Sequence, residues 1–242
     1  MKHLDLLTIV LIPAFNEGLR IASVIKEVKE HCPLIEVLVI DDGSNDETRT
    51  KAIESGARVV SHPFNLGYGA ALQTGYKYAL GKGYEELVQM DGDGQHDPSF
   101  LIDLLAVIRK GEADIAIGSR FLHARRIESG STTYRAPFLR KLGMNIFGII
   151  ASLLIRQKIT DPTSGYQAMN RKVLEWASSN QFPCDYPDAD VIIMLHRAGF
   201  RIREVAVRMF ENPYKKSMHS GWKPLYYVFK MFLSIFVTLL RK

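Results

Sequence analysis

The stretch VQMDGDGQHDP, residues 88 to 98, places Asp91, Asp93 and Asp97 within seven positions, directly after an apolar run and interleaved with glycines. Carboxylates flanking one glycine can point to the same side of an extended turn, while Gly92 leaves the backbone open to close approach by a ligand. Oxygen ligands of this kind suit hard divalent cations such as Mg2+ or Mn2+, and Mg2+ commonly takes one or two carboxylates together with substrate phosphates. Gln95 and His96 complete or support such a set. The plainer alternative is a polar loop whose aspartates serve turns and cap a helix starting near Pro98. A lone Asp-Gly-Asp would favour that alternative; the other acids change the balance. Glu17 follows an earlier apolar run, and Asp41 and Asp42 end another. Those two suit bonds to a nucleobase or ribose, with helix capping as the alternative for either one.

Other chemistries find less support. NLGYGAALQTG only loosely resembles a phosphate-cradling loop, because neither the Walker spacing nor the dinucleotide fingerprint is present. No Gly-x-Ser-x-Gly, His-Glu-x-x-His or zinc-type Cys/His spacing occurs, so nothing points to a hydrolase nucleophile. Arg120, Arg125, Arg126, Arg135, Arg140 and Lys141 crowd a loop-rich stretch. They are either a solvated surface or a place that recognises phosphate, for which the arginine fork is well shaped.

The elements that must position these residues alternate. LLTIVLIPAF reads as a strand and GLRIASVIKEVKEHC as a helix, with Ile21, Val24, Ile25 and Val28 at helical spacing. LIEVLVIDDGS is a second strand; NDETRTKAIESG is a helix capped by Ser44 or Asn45 and stopped by Gly56. RVVSHP, GYGAALQTGYKYALGKG and EELVQMDGDG continue as strand, helix and strand. Such alternation predicts a parallel sheet with helices on both faces, whose ligands gather beyond the carboxyl ends of the strands. Glu17, Asp41, Asp42, Asp91 and Asp93 all follow strands, so the pattern brings them to one edge. A helix in SFLIDLLAVIRKG, a strand in DIAIGSRF, an apolar helix from about Leu142 to Ile155, the turn-rich TDPTSGY, a helix near Arg171 to Ser178, the acidic CDYPDAD, and a final helix and strand complete the order.

With 242 residues, 47% of them hydrophobic, the chain can bury a sizeable core. A formal net charge of +5 mildly favours anionic partners. Nucleic acid is the weaker version of that preference, since no helix-turn-helix, RRM or zinc-finger pattern occurs. Two cysteines far apart, outside any CxxC, fit a reducing cytosolic setting. The amino-terminal run is broken by Asp5 and reads as a strand rather than a signal peptide.

Taken together and in order, IPAFNE, VIDDGSNDET, NLGYGAALQTG, MDGDGQHDP, IGSRF and DPTSGYQAMN resemble the family 2 glycosyltransferases of the GT-A fold, and more narrowly the dolichyl- and polyprenyl-phosphate sugar synthases. The resemblance covers about residues 8 to 210. It implies a Rossmann-like, mostly parallel central sheet in a domain of residues 1–220, and a nucleotide-sugar donor. Pro13, Phe15, Glu17, Asp41 and Asp42 would surround its base and ribose. Asp91, Asp93 and Gln95 would hold Mg2+ or Mn2+ on its diphosphate. Arg120 and Arg135 would face the acceptor's phosphate, Asp161, Ser164 and Gly165 would line the acceptor side, and Asp190 falls where the branch usually has a Glu. The sequence departs from the branch after EVAVR, where Asn212, Lys215 and Met218 replace an Arg and part of a Gly-x-Ser-Lys motif, leaving Lys215 and Lys216 to supply the charge. A polyprenyl phosphate acceptor would need no base. A saccharide hydroxyl would, and Asp188 or Asp190 would supply it. A catalytically silent nucleotide-binding subunit is the non-enzymatic alternative, which the intact Asp91, Asp93 and Gln95 oppose.

The sixteen residues Leu225 to Leu240 hold one charge, Lys230. As a helix they would span roughly 24 Å, short of a roughly 30 Å hydrocarbon core. Lys223, Lys230, Ser234, Thr238 and Arg241 stack on one stripe, so residues 221–242 read as an amphipathic helix lying on the cytoplasmic membrane surface, polar side toward headgroups. The alternative packs it on the domain or in an oligomer interface. A separate small membrane protein would then serve in place of the transmembrane helices common in the branch.

Overall fold

The structure, a computed structural model, describes residues 7–122, 138–180, 182–183, 189–210, 233–235 and 237–238, with the side chains of 138–145 excepted. Among the described residues seven strands form one sheet: β1 (Thr8–Ala14), β2 (Glu36–Asp41), β3 (Arg58–Ser61), β4 (Glu86–Gln89), β5 (Ile115–Ser119), β6 (Gln167–Asn170) and β7 (Ile202–Ala206), in the order β3-β2-β1-β4-β6-β5-β7. The helices are α1 (Ile21–His31), α2 (Thr48–Glu54), α3 (Tyr68–Gly81), α4 (Leu101–Arg109), α5 (Phe138–Ile155), α6 (Arg171–Ala177) and α7 (Ala189–Arg197).

Alternation along β1 shows how the sheet is covered on both sides. Ile9 and Leu11 face a core layer built with α3, α5, α6 and α7, while Val10 and Ile12 face a second layer built with α1 and α4. Strands buried on both faces lose the polar alternation of a solvated sheet, which is why β1 and β2 read as continuous apolar runs. β1, β2, β3 and β4 pair in parallel, and β5 pairs in parallel with β7. β6 alone runs antiparallel, between β4 and β5. The mostly parallel expectation holds, but β6 has no counterpart in the sequence reading. It is four residues long, and its last residue, Asn170, caps α6 by accepting from the Val173 N–H at 3.1 Å.

Two further differences stand out. Neither Ser44 nor Asn45 caps α2; the helix starts at Thr48, with the Asp46 carboxylate accepting from the Thr48 N–H at 2.9 Å. Ser44 and Asn45 instead tie the β2 end to the β1 end, exchanging bonds of 2.9 Å with the backbone and side chain of Asn16. At the carboxyl terminus, the polar residues Ser234 and Thr238 face inward rather than outward. Thr238 and Ile235 are buried, Ser234 donates to Asp190, and the Thr238 carbonyl accepts from Arg197 at 2.6 Å. Among the described residues of this segment, Leu233 and Val237 are exposed. Among the described residues no helix is long and apolar enough to cross a membrane.

Candidate active site

β1 has β2 on one side and β4 on the other, so the connections leaving the carboxyl ends of these three strands diverge and open a crevice there. Phe15 to Glu17, Asp41 to Ser44 and Asp91 to Gln95 line that edge. Pro13 is buried within β1, and Phe15, just past its end, is 44% exposed.

The β4 end is the electrostatically strained one. Burial raises Asp91 above the usual carboxylate range, against a hydrogen bond from Tyr68 and the Arg120 charge. Burial likewise raises Asp93, and the neighbouring Asp91 adds to it. Glu17 is raised as well, by burial first, with Asp93 and Asp91 among the charges opposing its ionisation. Asp93 accepts from the Gln95 N–H at 3.0 Å and from the Gln95 side-chain amide, so Gln95 orients Asp93. His96 accepts from the Asp91 N–H at 3.0 Å and stacks on Tyr166 with ring centroids 4.9 Å apart. Burial pushes it down to about 4, so it is a neutral prop for the loop at neutral pH. From the far side, Phe210 donates its N–H to the Gln95 carbonyl at 2.7 Å. Asp97 serves the next turn, as the sequence suggests: it accepts from the Ser99 N–H at 2.9 Å, and Arg208 pairs with it at 2.5 Å.

No three His, Cys, Asp or Glu residues among those described come together as a metal-holding group. The donor set offered is therefore two crowded carboxylates, Asp91 and Asp93, with Glu17 within electrostatic reach. That fits a hard divalent cation completed by phosphate oxygens and water. Cation charge would also offset the burial that raises these groups and the neighbouring carboxylate charge that adds to it at Asp93 and Glu17.

The β2 end differs. Asp41 accepts from the Ser44 N–H and the Ser61 hydroxyl, both at 3.1 Å. Asp42 accepts from His62 at 2.7 Å and from the Leu66 and Gly67 N–H groups at 2.9 Å each. His62 in turn meets the Thr74 hydroxyl at 2.9 Å. This pair shapes the loop leading into α3.

On the other side lies the loop between α5 and β6. Arg120 grips Asp161 with two bonds of 2.8 Å, both side chains buried. Glu204 of β7 accepts from the Thr160 and Asp161 N–H groups at 2.8 to 2.9 Å and from the Thr160 hydroxyl at 2.9 Å. Ser164 is buried and its hydroxyl accepts from the Tyr166 N–H at 3.3 Å. Gly165 presses on the β4 end: a Cβ there would sit 2.9 Å from the Tyr68 hydroxyl and 3.2 Å from both Asp91 oxygens. The two loops are thus joined through glycine.

Asp190, buried at the start of α7, accepts from the Val191 N–H at 2.9 Å and from Ser234. Arg135, Asp188, Lys215 and Lys216 lie outside the described residues. Sequence reasoning missed Tyr68, His62 and Glu204. Tyr68 stands between Gly67 and Gly69 in NLGYG, and its position at the first turn of a helix whose preceding loop reaches the strand ends was the available signal.

A family model described as "Glycosyl transferase family 2" matches residues 9–176. A polyprenol monophosphomannose synthase of Mycolicibacterium smegmatis is 36% identical over 69% of this chain and 63% of its own length, so the match spans a little under two thirds of that protein. An undecaprenyl-phosphate mannosyltransferase of Micrococcus luteus is 31% identical over 87% of this chain and 86% of its own. Among solved structures, a Mycobacterium tuberculosis glucosyl-3-phosphoglycerate synthase in complex with Mn2+, uridine diphosphate and glucosyl-3-phosphoglycerate superposes with a TM-score of 0.67, at 23% identity, over 98% of this chain and 81% of that one. At that identity the last comparison speaks for the fold.

Proposed function

Since the chain belongs to glycosyl transferase family 2 and is a glycosyltransferase, we propose that it moves a hexose from a nucleotide sugar onto polyprenyl phosphate, with inversion, using Mg2+ or Mn2+. The observation that carries this reading is the meeting of the Asp91–Asp93 loop with the Asp161–Gly165 loop, which would set a diphosphate-binding carboxylate pair against an acceptor-side loop.

Asp91 and Asp93 would hold the cation, with Gln95 orienting Asp93. When bound, the cation would neutralise charge on the departing diphosphate. Pro13, Phe15, Glu17, Asp41 and Asp42 lie at the donor end, where the exposed ring of Phe15 offers a face to a base and Asp42 keeps the β3–α3 loop in shape. An oxygen of the acceptor phosphate forms the new bond to C1 as the C1–oxygen bond to the diphosphate breaks, the electron pair leaving with the diphosphate. The attacking phosphate is already anionic, so placement rather than proton removal is what the protein supplies. Arg120, fixed by its fork to Asp161, contributes positive potential beside Asp91. Arg135, Lys215 and Lys216 are proposed to hold the acceptor phosphate. Transfer to a saccharide hydroxyl would need a base, and Asp190 is buried in a bond with Ser234.

A lipid acceptor implies contact with a membrane surface at its cytoplasmic face. Supporting it, α5 exposes Ile146, Ile149, Leu153 and Leu154 opposite the buried Phe147, Ala151 and Ile155, and the exposed Arg156 and Lys158 follow directly. An apolar face ending in cations suits an anionic lipid surface. Flotation with phosphatidylglycerol vesicles should carry the protein up, and Ile149→Lys with Leu153→Lys should leave it behind; flotation unaffected by that pair would remove α5 from the interface.

The test of the reaction is incubation with radiolabelled nucleotide sugars, polyprenyl phosphate and Mn2+, followed by organic extraction. Metal-dependent label in the organic phase is expected. Label that appears only on water-soluble saccharide would overturn the acceptor.

A further inference from the structure

Behind Asp91 runs a chain of hydrogen bonds that no step above uses. The Tyr76 hydroxyl donates to the Gln89 Oε1 at 2.5 Å, the Gln89 Nε2 donates to the Tyr68 hydroxyl oxygen at 3.1 Å, and the Tyr68 hydroxyl donates to the Asp91 Oδ1 at 3.0 Å. Tyr76 and Gln89 are buried, and burial raises Tyr76 far above the usual phenol range, so it keeps its proton. The direction of the chain is forced from its end. An ionised carboxylate only accepts, so Tyr68 must donate to it; the Tyr68 oxygen then accepts from Gln89, whose amide oxygen is left for Tyr76. With the amide turned over, the Tyr68 proton would go to Gln89 and two unprotonated oxygens would face each other at 3.0 Å. Gly165 completes the arrangement, since any Cβ there would collide with the Tyr68 hydroxyl.

We propose that Tyr68 is a positioning residue for the cation site: held by Gln89 and Tyr76, it takes up Oδ1 of Asp91 and so fixes the carboxylate, whose Oδ2, 3.7 Å from the His96 Nε2, would be the oxygen offered to the cation. The proposal rests on the reading of Asp91 as a cation ligand. Groups that orient a ligand in this way commonly change metal affinity about 10- to 100-fold. A rigid chain from the α3 core would hold the carboxylate in place before the cation arrives.

The test is Mn2+ binding to the full chain with uridine diphosphate present, followed by electron paramagnetic resonance of free Mn2+, alongside thermal unfolding. Tyr68→Phe, which removes one oxygen atom, should weaken Mn2+ at least about tenfold while the unfolding temperature of the metal-free protein holds. Gln89→Leu should weaken it less, and the double variant should bind like Tyr68→Phe alone, because both changes cut one chain. Wild-type Mn2+ affinity in Tyr68→Phe, with binding lost in Asp91→Asn, would overturn the positioning role and leave the cation site standing. Wild-type affinity in Asp91→Asn would overturn the cation site itself. Should Tyr68→Phe fail to fold, additive losses in a folded Gln89→Leu and Gly165→Ala pair would count against the chain, and a shared loss for it.

Discussion

Strands β2 and β4 both end in paired acids, Asp41–Asp42 and Asp91-Gly-Asp93, and by residue type the two ends are close to interchangeable. Around Asp42 stand three donors, from His62, Leu66 and Gly67, and around Asp41 two more, from Ser44 and Ser61. Asp91 accepts from the Tyr68 hydroxyl and Asp93 from Gln95, yet burial raises both, and at Asp93 the Asp91 charge adds to it. A buried carboxylate ringed by donors shapes a loop; one with fewer donors that burial still raises is available to a ligand.

Exchanging charge for an amide should separate the two ends. Asp91→Asn should lower turnover on the order of 10³-fold, the worth of several kcal/mol of charge stabilisation, with the unfolding temperature held or raised because a raised carboxylate has been removed. Turnover close to wild type, or a protein that melts early, would place Asp91 with Asp42. Asp42→Asn should do the reverse, costing about 3 kcal/mol of stability, since an amide N–H would then face the donors that the carboxylate accepts. Its folded fraction should keep kcat and show a higher KM for the donor; denaturant unfolding beside steady-state kinetics reads both. A third change sits at the contact between loops. Gly165→Ala would drive a Cβ against Tyr68 and Asp91, and should lower turnover about 30-fold, roughly 2 kcal/mol, with little change in unfolding. Unaltered turnover would mean that the two loops move apart without consequence.

The contrast also explains what was legible in the sequence. β1, β2 and β4 announce themselves because strands buried on both faces must be apolar throughout, and the acids that follow them mark the ligand edge. The roles within that edge were not legible. Asp42 finds its partners in a loop 20 to 25 residues away, and Tyr68 reaches Asp91 across 23. No local pattern encodes those meetings, because folding of the β3–α3 loop creates them. β6 was missed for a related reason: its pairing comes from neighbours far along the chain, and its four residues carry too little alternation to signal a strand. The inward turn of Ser234 and Thr238 follows the same rule, since Asp190 and Arg197 offer partners that a helical wheel does not show.

Glu204 tests the comparison most finely, because it combines the two conditions. It is partly buried and raised, burial being the largest cause and the Asp161 charge adding to it, yet Asp161 and Thr160 donate to it as generously as any group donates to Asp42. A carboxylate whose folded pKa exceeds its unfolded value near 4.5 holds its proton more tightly in the folded state. Its contribution to stability is complete below the unfolded value and is lost as pH rises through the folded one. The stability gap between wild type and Glu204→Gln should therefore narrow as pH is raised from about 4 toward 7, an effect smaller than the three above and readable in denaturant unfolding at each pH. A gap that widens over the same range would show the donated bonds outweighing burial, and would move Glu204 to the side of Asp42, as an acid that the protein has fully satisfied.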